Sequence, residues 1–470
     1  MSTHIIHKQK VTLQIPKEGD AHVYYGRVSN LMQNELPARI ETILDQLFPS
    51  DKIIRIASLK LDLGVITPQN FEQEFKDGVI KALVKTLLSQ KDSLEGVDNG
   101  DVLKNAQSLV NAFIFFLEKG YLPWYRTTEK TSAWENELIN DFSVNEYEYF
   151  LDWWRDNYQH NQVITDRLIL QFSDILLQKI ISAIAPDVRE SWGLIFKDYA
   201  WLLKTLLKVK HVARYEIWKY LFHVLLNSKD SLWPSQALKL LVVHFDIESG
   251  DLSKVESRVL KTLTVKNALK QFDEANDADK AYDNGKELAK GWSRNKTKKW
   301  DTEEDTLYIT NSGIVILHYF LKPFFEDLKL FVTGKFVNHK AHQRAVLLLH
   351  YLAMGKSEAA EFDLPLEKIL CGYLLENTLP DRIVLTRKEK VESEKLLNAV
   401  IDYWVPLKNT SIEGLRGTFL QREGKLVTKE NGWQLLVEQK TVDILLDKLP
   451  WGFSTIRLPW MEQILNVDWY

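Results

Sequence analysis

The sequence predicts a mainly α-helical protein with a small α+β module at its N-terminal end and a β-hairpin near its C-terminal end. Three observations lead there. Apolar residues recur at helical spacing through most of the 470 residues. Strict alternation of apolar and polar residues is confined to two short segments, 10–15 and 56–63. Two apolar runs, Gly424-Lys-Leu-Val and Trp433-Gln-Leu-Leu-Val, flank Thr428-Lys-Glu-Asn-Gly, whose Asn-Gly pair is a strong turn signal.

Taken in order, Lys10-Val-Thr-Leu-Gln-Ile reads as a half-buried strand. Helical spacing then runs from about Tyr24 to Phe48 through Val28, Leu31, Leu36, Ile40, Ile43, Leu44 and Leu47, with a break or kink at Pro37. Ile56, Leu59, Leu61 and Leu63 alternate with Ser58, Lys60 and Asp62, which predicts a second strand, paired with the first across the helix. Gly64 permits a sharp exit. A further amphipathic helix covers about Gln69 to Leu88. From about Val102 to Lys270 the pattern is helical. Leu103, Leu109, Phe113, Phe116 and Leu117 mark one helix ending at Gly120, and Leu122-Pro-Trp then forces a turn. Trp153, Trp154, Trp192, Trp201, Trp218 and Trp233 sit in later helices or at their ends.

Residues 271–305 change character: 273–285 is poor in large apolar groups, and a basic run, Arg294-Asn-Lys-Thr-Lys-Lys, precedes an acidic one, Asp301-Thr-Glu-Glu-Asp. Such a segment buries too little apolar surface to offset its ordering entropy, so it reads as a protease-sensitive linker. The expected regions are an α+β module (1–95), a helical middle (96–270), this charged linker (271–305) and a helical C-terminal domain (306–470).

At 45% hydrophobic, 26% charged and a net charge of −4, the composition is that of a folded soluble protein and argues against a generally basic nucleic-acid surface. No run approaches the roughly 18 apolar residues of a membrane span, and the N-terminal residues lack a signal-peptide pattern. Cytoplasmic assembly is the expectation, with docking on a membrane or release as part of a particle left open. One cysteine, Cys371, cannot by itself form an intramolecular disulfide or a cysteine-based zinc site, and its apolar setting predicts a buried thiol. His339 and His342 share a helix face at i, i+3, but no carboxylate companions accompany them or His350, so no metal is expected. His318 reads as a hydrogen-bonded core residue. Lys204, Lys208, Lys210, His211 and Arg214 read as a solvated helix face. Gly414-Leu-Arg-Gly lacks a phosphate-loop pattern, and Asp62 and Glu413 have no visible acid–base partner. No enzymatic activity and no cofactor are expected.

What remains is aromatic and cationic. Leu122-Pro-Trp, Leu449-Pro-Trp and Leu458-Pro-Trp each set a large indole beside a fixed turn, as Trp404 does ahead of Leu407-Lys-Asn-Thr-Ser. These tryptophans either lock helix–loop packing or anchor an interface. Trp404, Trp451 and Trp460 are expected in one C-terminal core. Arg344, Arg416, Arg422 and Arg457 read as buried or interfacial ion-pair formers, because the guanidinium is a planar bidentate fork. The candidate structural or interface residues are thus Trp124, Trp404, Arg416, Arg422, Trp451, Arg457 and Trp460.

Several strings carry a further signal. They are Arg344-Ala-Val-Leu-Leu-Leu-His-Tyr-Leu, Leu370-Cys-Gly, Glu413-Gly-Leu-Arg-Gly-Thr-Phe-Leu-Gln-Arg-Glu-Gly, Leu449-Pro-Trp-Gly-Phe and Arg457-Leu-Pro-Trp-Met. Upstream stand Leu59-Lys-Leu-Asp-Leu-Gly and Phe116-Leu-Glu-Lys-Gly-Tyr-Leu-Pro-Trp-Tyr. Together they resemble the tape measure family of contractile injection systems, the phage-tail-like particles of bacteria. The resemblance implies a structural role in setting inner-tube length during assembly, with tube, baseplate or cap proteins as partners. The residues themselves read as folded: they show prolines, helix stops and tryptophan-rich cores, and no sustained heptad. Even wholly helical, the chain reaches only about 700 Å at ~1.5 Å per residue. A compact assembly factor, or a cap or baseplate component of the same particle, is therefore the alternative.

Overall fold

The computed structural model of the chain describes residues 4, 6, 9–15, 21–48, 52–54, 56, 59–96, 102–126, 131–158, 161–184, 214–227, 306–380, 383–430 and 432–469. Its contacts divide it into two compact units, Met1–Asn111 and Ala112–Tyr470. The described elements are mainly helical, as the sequence predicts.

In the first unit, α1 (Ala21–Asn30) passes through a π-helical turn (Leu31–Glu35) into α2 (Pro37–Leu47). Pro37 opens α2, where its missing N–H leaves no bond unmade. After a 3₁₀ turn (Pro68–Asn70), α3 (Phe71–Gly96) buries Phe71, Phe75, Val79, Leu83 and Leu87 at every fourth position. They share one core with Val28, Leu31, Leu36 and Ile40. Arg27 spans α1 and α3 with a fork on Glu72, Nε to Oε1 at 2.5 Å and Nη2 to Oε2 at 2.7 Å.

The two predicted strands are a correction. None of the described residues in 10–15 and 56–63 is in a strand. Leu13, Ile56, Leu59, Leu61 and Leu63 pack on the helical core, while Lys60 and Asp62 face solvent. The alternation therefore marks which side chains turn inward, but the described residues of these segments lie against helices and not in a ladder. Among the described residues the strands of this unit are β1 (Lys52–Ile54) and β2 (Val102–Lys104), antiparallel with Ile53 opposite Leu103. Leu103, expected in a helix, belongs to β2 because α4 (Asn105–Lys119) begins just after it.

The second unit holds the core-forming half of α4, then α5 (Thr131–Asp141), α6 (Val144–Tyr158), α7 (Gln162–Gln171), α8 (Asp174–Ile184) and α9 (Arg214–Asn227). Their core is aromatic. The Phe113 ring lies 5.1 Å from Phe150 and 5.2 Å from Phe172, and Phe116 lies 5.2 Å from Trp134. Trp154 packs 4.8 Å from Phe222 and donates its indole N–H to Thr165 Oγ1 at 3.1 Å. Arg214 is a second correction. It is not a member of a solvated face: its guanidinium donates to Asp174 Oδ1 and to the Ile169 and Phe172 carbonyls at 2.5–2.8 Å. Trp192, Trp201, Trp233, the other residues of that basic cluster and the expected linker lie outside the described residues.

The remaining elements of this unit are built on a five-stranded mixed sheet. Its strands are β3 (Thr306–Ile309), β6 (Gly424–Lys429), β7 (Gly432–Val437), β8 (Thr455–Ile456) and β9 (Ile464–Asp468), in the order β3-β6-β7-β9-β8. The expected hairpin is β6–β7, in register from Gly424 opposite Val437 to Lys429 opposite Gly432. β9 adds parallel to β7. A small ribbon of β4 (Phe331–Val332) and β5 (Lys335–Phe336) stands apart from it. Leu307, Leu426, Leu435, Ile456 and Leu465 bury one side of the large sheet. Packed in the same core are a 3₁₀ segment (Ser312–Leu317), α10 (His318–Asp327), α11 (His339–Met354), α12 (Pro365–Leu370) and α13 (Arg387–Tyr403). α11 is buried from Ala345 through Ala353 on all sides, as expected of a central helix.

Candidate functional site: a buried ionic frame and an exposed aromatic face

Cations in the second unit meet backbone carbonyls as often as carboxylates. Arg416 opens a π-helical turn (Arg416–Leu420) after α14 (Ile412–Leu415). It donates to the Tyr351 and Leu352 carbonyls at 3.1 and 3.0 Å and to Glu413 Oε1 at 2.6 Å. Gln421 reaches the next carbonyl, Ala353, at 3.3 Å. Leu352 and Ala353 supply two of the last carbonyls of α11, which lack a partner inside their own helix, and the Tyr351 carbonyl also accepts from the Gly355 N–H at 2.9 Å, so the Glu413–Gly424 string caps the central helix. Arg422 is fully buried. It donates to Asp443 Oδ1 at 2.6 Å and to the Thr418 carbonyl at 2.6 Å. Asp443 also accepts from the Lys440 N–H and the Trp469 indole, tying the 3₁₀ segment Thr441–Lys448 to the residue that follows β9. Arg344 forks onto Glu389, whose carboxylate also caps α13 through the Thr386 N–H and hydroxyl. Burial pushes the Glu389 carboxyl up, but the bonds from Arg344 and Thr386 together outweigh it and hold it below the usual range.

A second cluster joins residues far apart in sequence. Arg167 of α7 donates from Nε to Glu361 Oε1 at 3.2 Å, from Nη1 to the Leu117 carbonyl and from Nη2 to the Glu376 carbonyl at 2.6 Å. Lys368 of α12 donates to the same Glu361 oxygen at 2.7 Å and to the Leu375 and Asn377 carbonyls at 3.0 and 2.8 Å. All three side chains are buried. Desolvation lowers the Lys368 pKa, and Glu361 opposes it. Gly120 has φ +81°, and a Cβ there would press on the Arg167 guanidinium, the Leu375 carbonyl and Glu361.

The tryptophans are held by backbone. Trp404 is buried, 4.5 Å from Phe419, with its indole N–H on the Leu445 carbonyl at 3.1 Å. Trp451 donates to Ile316 O and Trp460 to Leu370 O, both at 2.8 Å. These two are half-buried at the rim of the same core, not enclosed as Trp404 is. Trp124 is half-buried in the turn after Pro123, edge-on to Tyr125 at 5.7 Å. Arg457 is exposed, because it lies between the inward-facing Ile456 and Leu458, so of the two expected settings the buried one does not apply to it. Sequence reasoning missed Arg167, Glu361, Lys368 and Asp443, each of which reads as an ordinary surface charge until the fold is known.

The histidines are absorbed by packing. His342 donates from Nε2 to the Cys371 carbonyl at 2.7 Å and stacks on Phe336 at 4.2 Å, and His318 Nδ1 bonds the Val315 carbonyl at 2.9 Å. Desolvation lowers both pKa values. Cys371 is buried, and desolvation pushes its thiol well up. Among the described residues no three His, Cys, Asp or Glu side chains are grouped to hold a metal, and no helix is long and apolar enough to cross a membrane.

Among the described residues, several rings gather at one exposed surface. Tyr319 is stacked 6.0 Å from Trp451, Phe320 stands edge-on to Trp451 at 5.0 Å, and Tyr403 lies 6.0 Å from Phe320. Tyr319 and Tyr403 are about two-thirds exposed, at 65% and 64%. The Trp451 bond to Ile316 fixes the ring on which this aromatic face is built.

A comparison with protein families decides the identity of a molecule so composed. The model for contractile injection system tape measure proteins matches residues 3–469. The chain belongs to that family. It is a structural and assembly protein of a contractile injection system. No curated protein and no solved structure matches it. Within this tape measure family member, the strings that carried the resemblance include the caps of α11, the Trp451 and Trp460 anchors and the Gly120 turn.

Proposed function

We propose that this chain governs inner-tube length as a folded assembly component, contacting a tube, baseplate or cap subunit, without any catalytic step. The family match carries the assembly role. The folded mode of action is supported by the frame described above, in which buried cations fix helix ends and loops in one arrangement. The longest described helix, α3, has 26 residues and so spans only about 40 Å at ~1.5 Å per residue.

The surface best suited to a subunit contact is the face of Tyr319, Phe320, Tyr403 and Trp451. It offers exposed, rigid aromatic area, which is enriched where binding energy concentrates. The candidate anchors Trp124, Trp460 and exposed Arg457 are further contact points under this reading. Assembly in the cytoplasm fits the absence of a membrane-crossing helix among the described residues. The test is mass spectrometry and electron microscopy of particles made with and without this chain. Loss of particles, or a broadened length distribution, is expected without it. Normal particles of unchanged length would overturn the proposal.

A further inference from the structure

The β4–β5 ribbon is mounted on aromatic rings. Phe331 lies 4.7 Å from Trp460 and 5.4 Å from Phe336, and Phe336 stacks on His342 at 4.2 Å. Trp460 is fixed in turn by its indole bond to the Leu370 carbonyl, and its own carbonyl fills the space that Gly372, at φ +64°, leaves without a Cβ. The strings Leu370-Cys-Gly and Leu458-Pro-Trp-Met thus meet beneath the ribbon and hold it in one position.

The outer side is built differently. Val332 and Val337 are 48% and 54% exposed, and a Cβ at Gly334 would meet no atom within 4 Å. From Lys329 to Lys340 the sequence has three lysines and no carboxylate, in a chain of net charge −4. Lys329, Lys335 and Lys340 are exposed, and none makes an ion pair among the described residues. The nearest acids in sequence, Glu326 and Asp327, lie in the last turn of α10, where Glu326 faces Lys322 at 4.0 Å. Backbone strain gathers at the same place. Among the described residues three non-glycine residues have positive φ, and two of them are Lys329 at +58° and Thr333 at +51°. Lys329 closes α10: its N–H donates to the Glu326 carbonyl and the Leu330 N–H to the Phe325 carbonyl, both at 2.9 Å, an arrangement in which glycine is usual. Thr333 opens the two-residue turn with Gly334, at φ +84°, where asparagine or glycine is usual and a branched side chain is strained. Thr333 is exposed, so no packing within the described residues offsets that strain.

We propose that this ribbon is a docking finger for an acidic protein surface, with its three lysines set against carboxylates and Val332, Thr333 and Val337 lying along a shallow apolar strip between them. Strained residues of this kind cluster at ligand clamps, and a ribbon already fixed by Trp460 loses little freedom on binding. The rings that a bilayer interface would take up, Phe331 and Phe336, are turned to the core. The ribbon carries no arginine, the side chain best shaped for phosphate. A protein surface therefore fits better than lipid or nucleic acid. The inference rests on the assembly role proposed above and specifies it: the partner is an acidic subunit of the particle. Its contact is separate from the aromatic face, since Tyr319 and Phe320 lie in the first turn of α10 and the ribbon follows its last.

The experiment immobilises the full chain and follows binding of each purified tube, baseplate and cap subunit by interferometry at low and high salt. One acidic subunit should bind, more weakly as salt rises. Lys329→Glu, Lys335→Glu and Lys340→Glu combined should lower its affinity by roughly tenfold or more. Lys335→Glu alone, at the tip, should give a smaller loss and keeps the test valid if the triple variant does not fold. Thr333→Asn gives the turn its preferred Asn-Gly pair, so it should raise the melting temperature yet weaken binding, opposite signs that a merely structural residue would not show. Absence of subunit binding, or unchanged binding by the folded charge variants, would overturn the finger. Lysine-dependent binding to phosphatidylserine vesicles or to duplex DNA in place of a subunit would overturn the protein partner. Particles that still require the chain while the ribbon variants bind normally would remove the finger and leave the assembly role standing, so the two failures are distinct.

Discussion

Arg422 donates from Nη2 to Asp443 Oδ1 at 2.6 Å with both side chains out of solvent. The contact ties the turn before the hairpin to the 3₁₀ segment after it. Removing one partner leaves the other charge buried and uncompensated, which costs about 3–5 kcal/mol. Arg422→Met and Asp443→Asn should each lower the unfolding free energy by that order, and the double variant should cost less than their sum. Additive losses in an equilibrium unfolding cycle would show that the two do not act as a pair.

The Arg167, Glu361 and Lys368 cluster holds two cations and one carboxylate. Arg167→Met leaves a balanced Lys368–Glu361 pair. Glu361→Gln leaves two buried cations without a counter-charge. Glu361→Gln should therefore be the more destabilising change, by about 1–3 kcal/mol, on the general cost of buried unpaired charge. Thermal unfolding of the two variants side by side decides the order.

Trp404 and Trp451 differ in enclosure. Trp404→Ala empties a buried site and should cost about 3–5 kcal/mol. Trp451→Ala starts from a half-buried ring and should cost less, while disturbing the stacked Tyr319. Equal losses in a melting experiment would contradict the rim position of Trp451.

On the exposed face, Tyr403→Glu should change monomer stability by no more than about 0.5 kcal/mol, as surface substitutions generally do. Under the proposed contact it should sharply reduce incorporation of the chain into particles. Normal incorporation, read by quantitative mass spectrometry, would remove this face as the docking surface.

The contributions of two histidines and one glutamate to stability should fall in acid, while Asp363, whose carboxyl burial pushes up to about 6, opposes them between about pH 6 and 4. His342 and His318 resist protonation in the folded state, chiefly through desolvation. Below their unfolded pKa of about 6.5 the unfolded chain takes up protons that the folded chain refuses, so folding weakens as pH drops. Glu389, held below its usual range, adds a second loss below about pH 4.3. Denaturant midpoints should decline from about pH 7.5 to 6, before Asp363 takes up its proton. His342→Gln should flatten the first step.

The helices were legible because their pattern is local: the every-fourth burial on α3 and the apolar run of α11 are written in consecutive residues. The hairpin was legible from its turn, yet Gly432 proves to be the first residue of β7, with φ +142° and no room for a Cβ beside the Ile464 carbonyl. β9 escaped notice because a five-residue parallel partner carries no turn signal. Arg167 was invisible for a different reason. Its pairing with Glu361 spans 194 positions, and nothing near either residue announces burial. The aromatic strings announce large rings beside fixed turns, but which indoles lie inside depends on what covers them.

Particle length across a deletion series tests the account most directly. Electron microscopy would compare particles from the intact chain, from no chain, and from chains lacking stretches of residues 275–300. The account predicts disturbed assembly without the chain and unchanged length for every internal deletion. Particles that shorten in proportion to the residues removed, by ~1.5 Å each for a helical ruler, would contradict it.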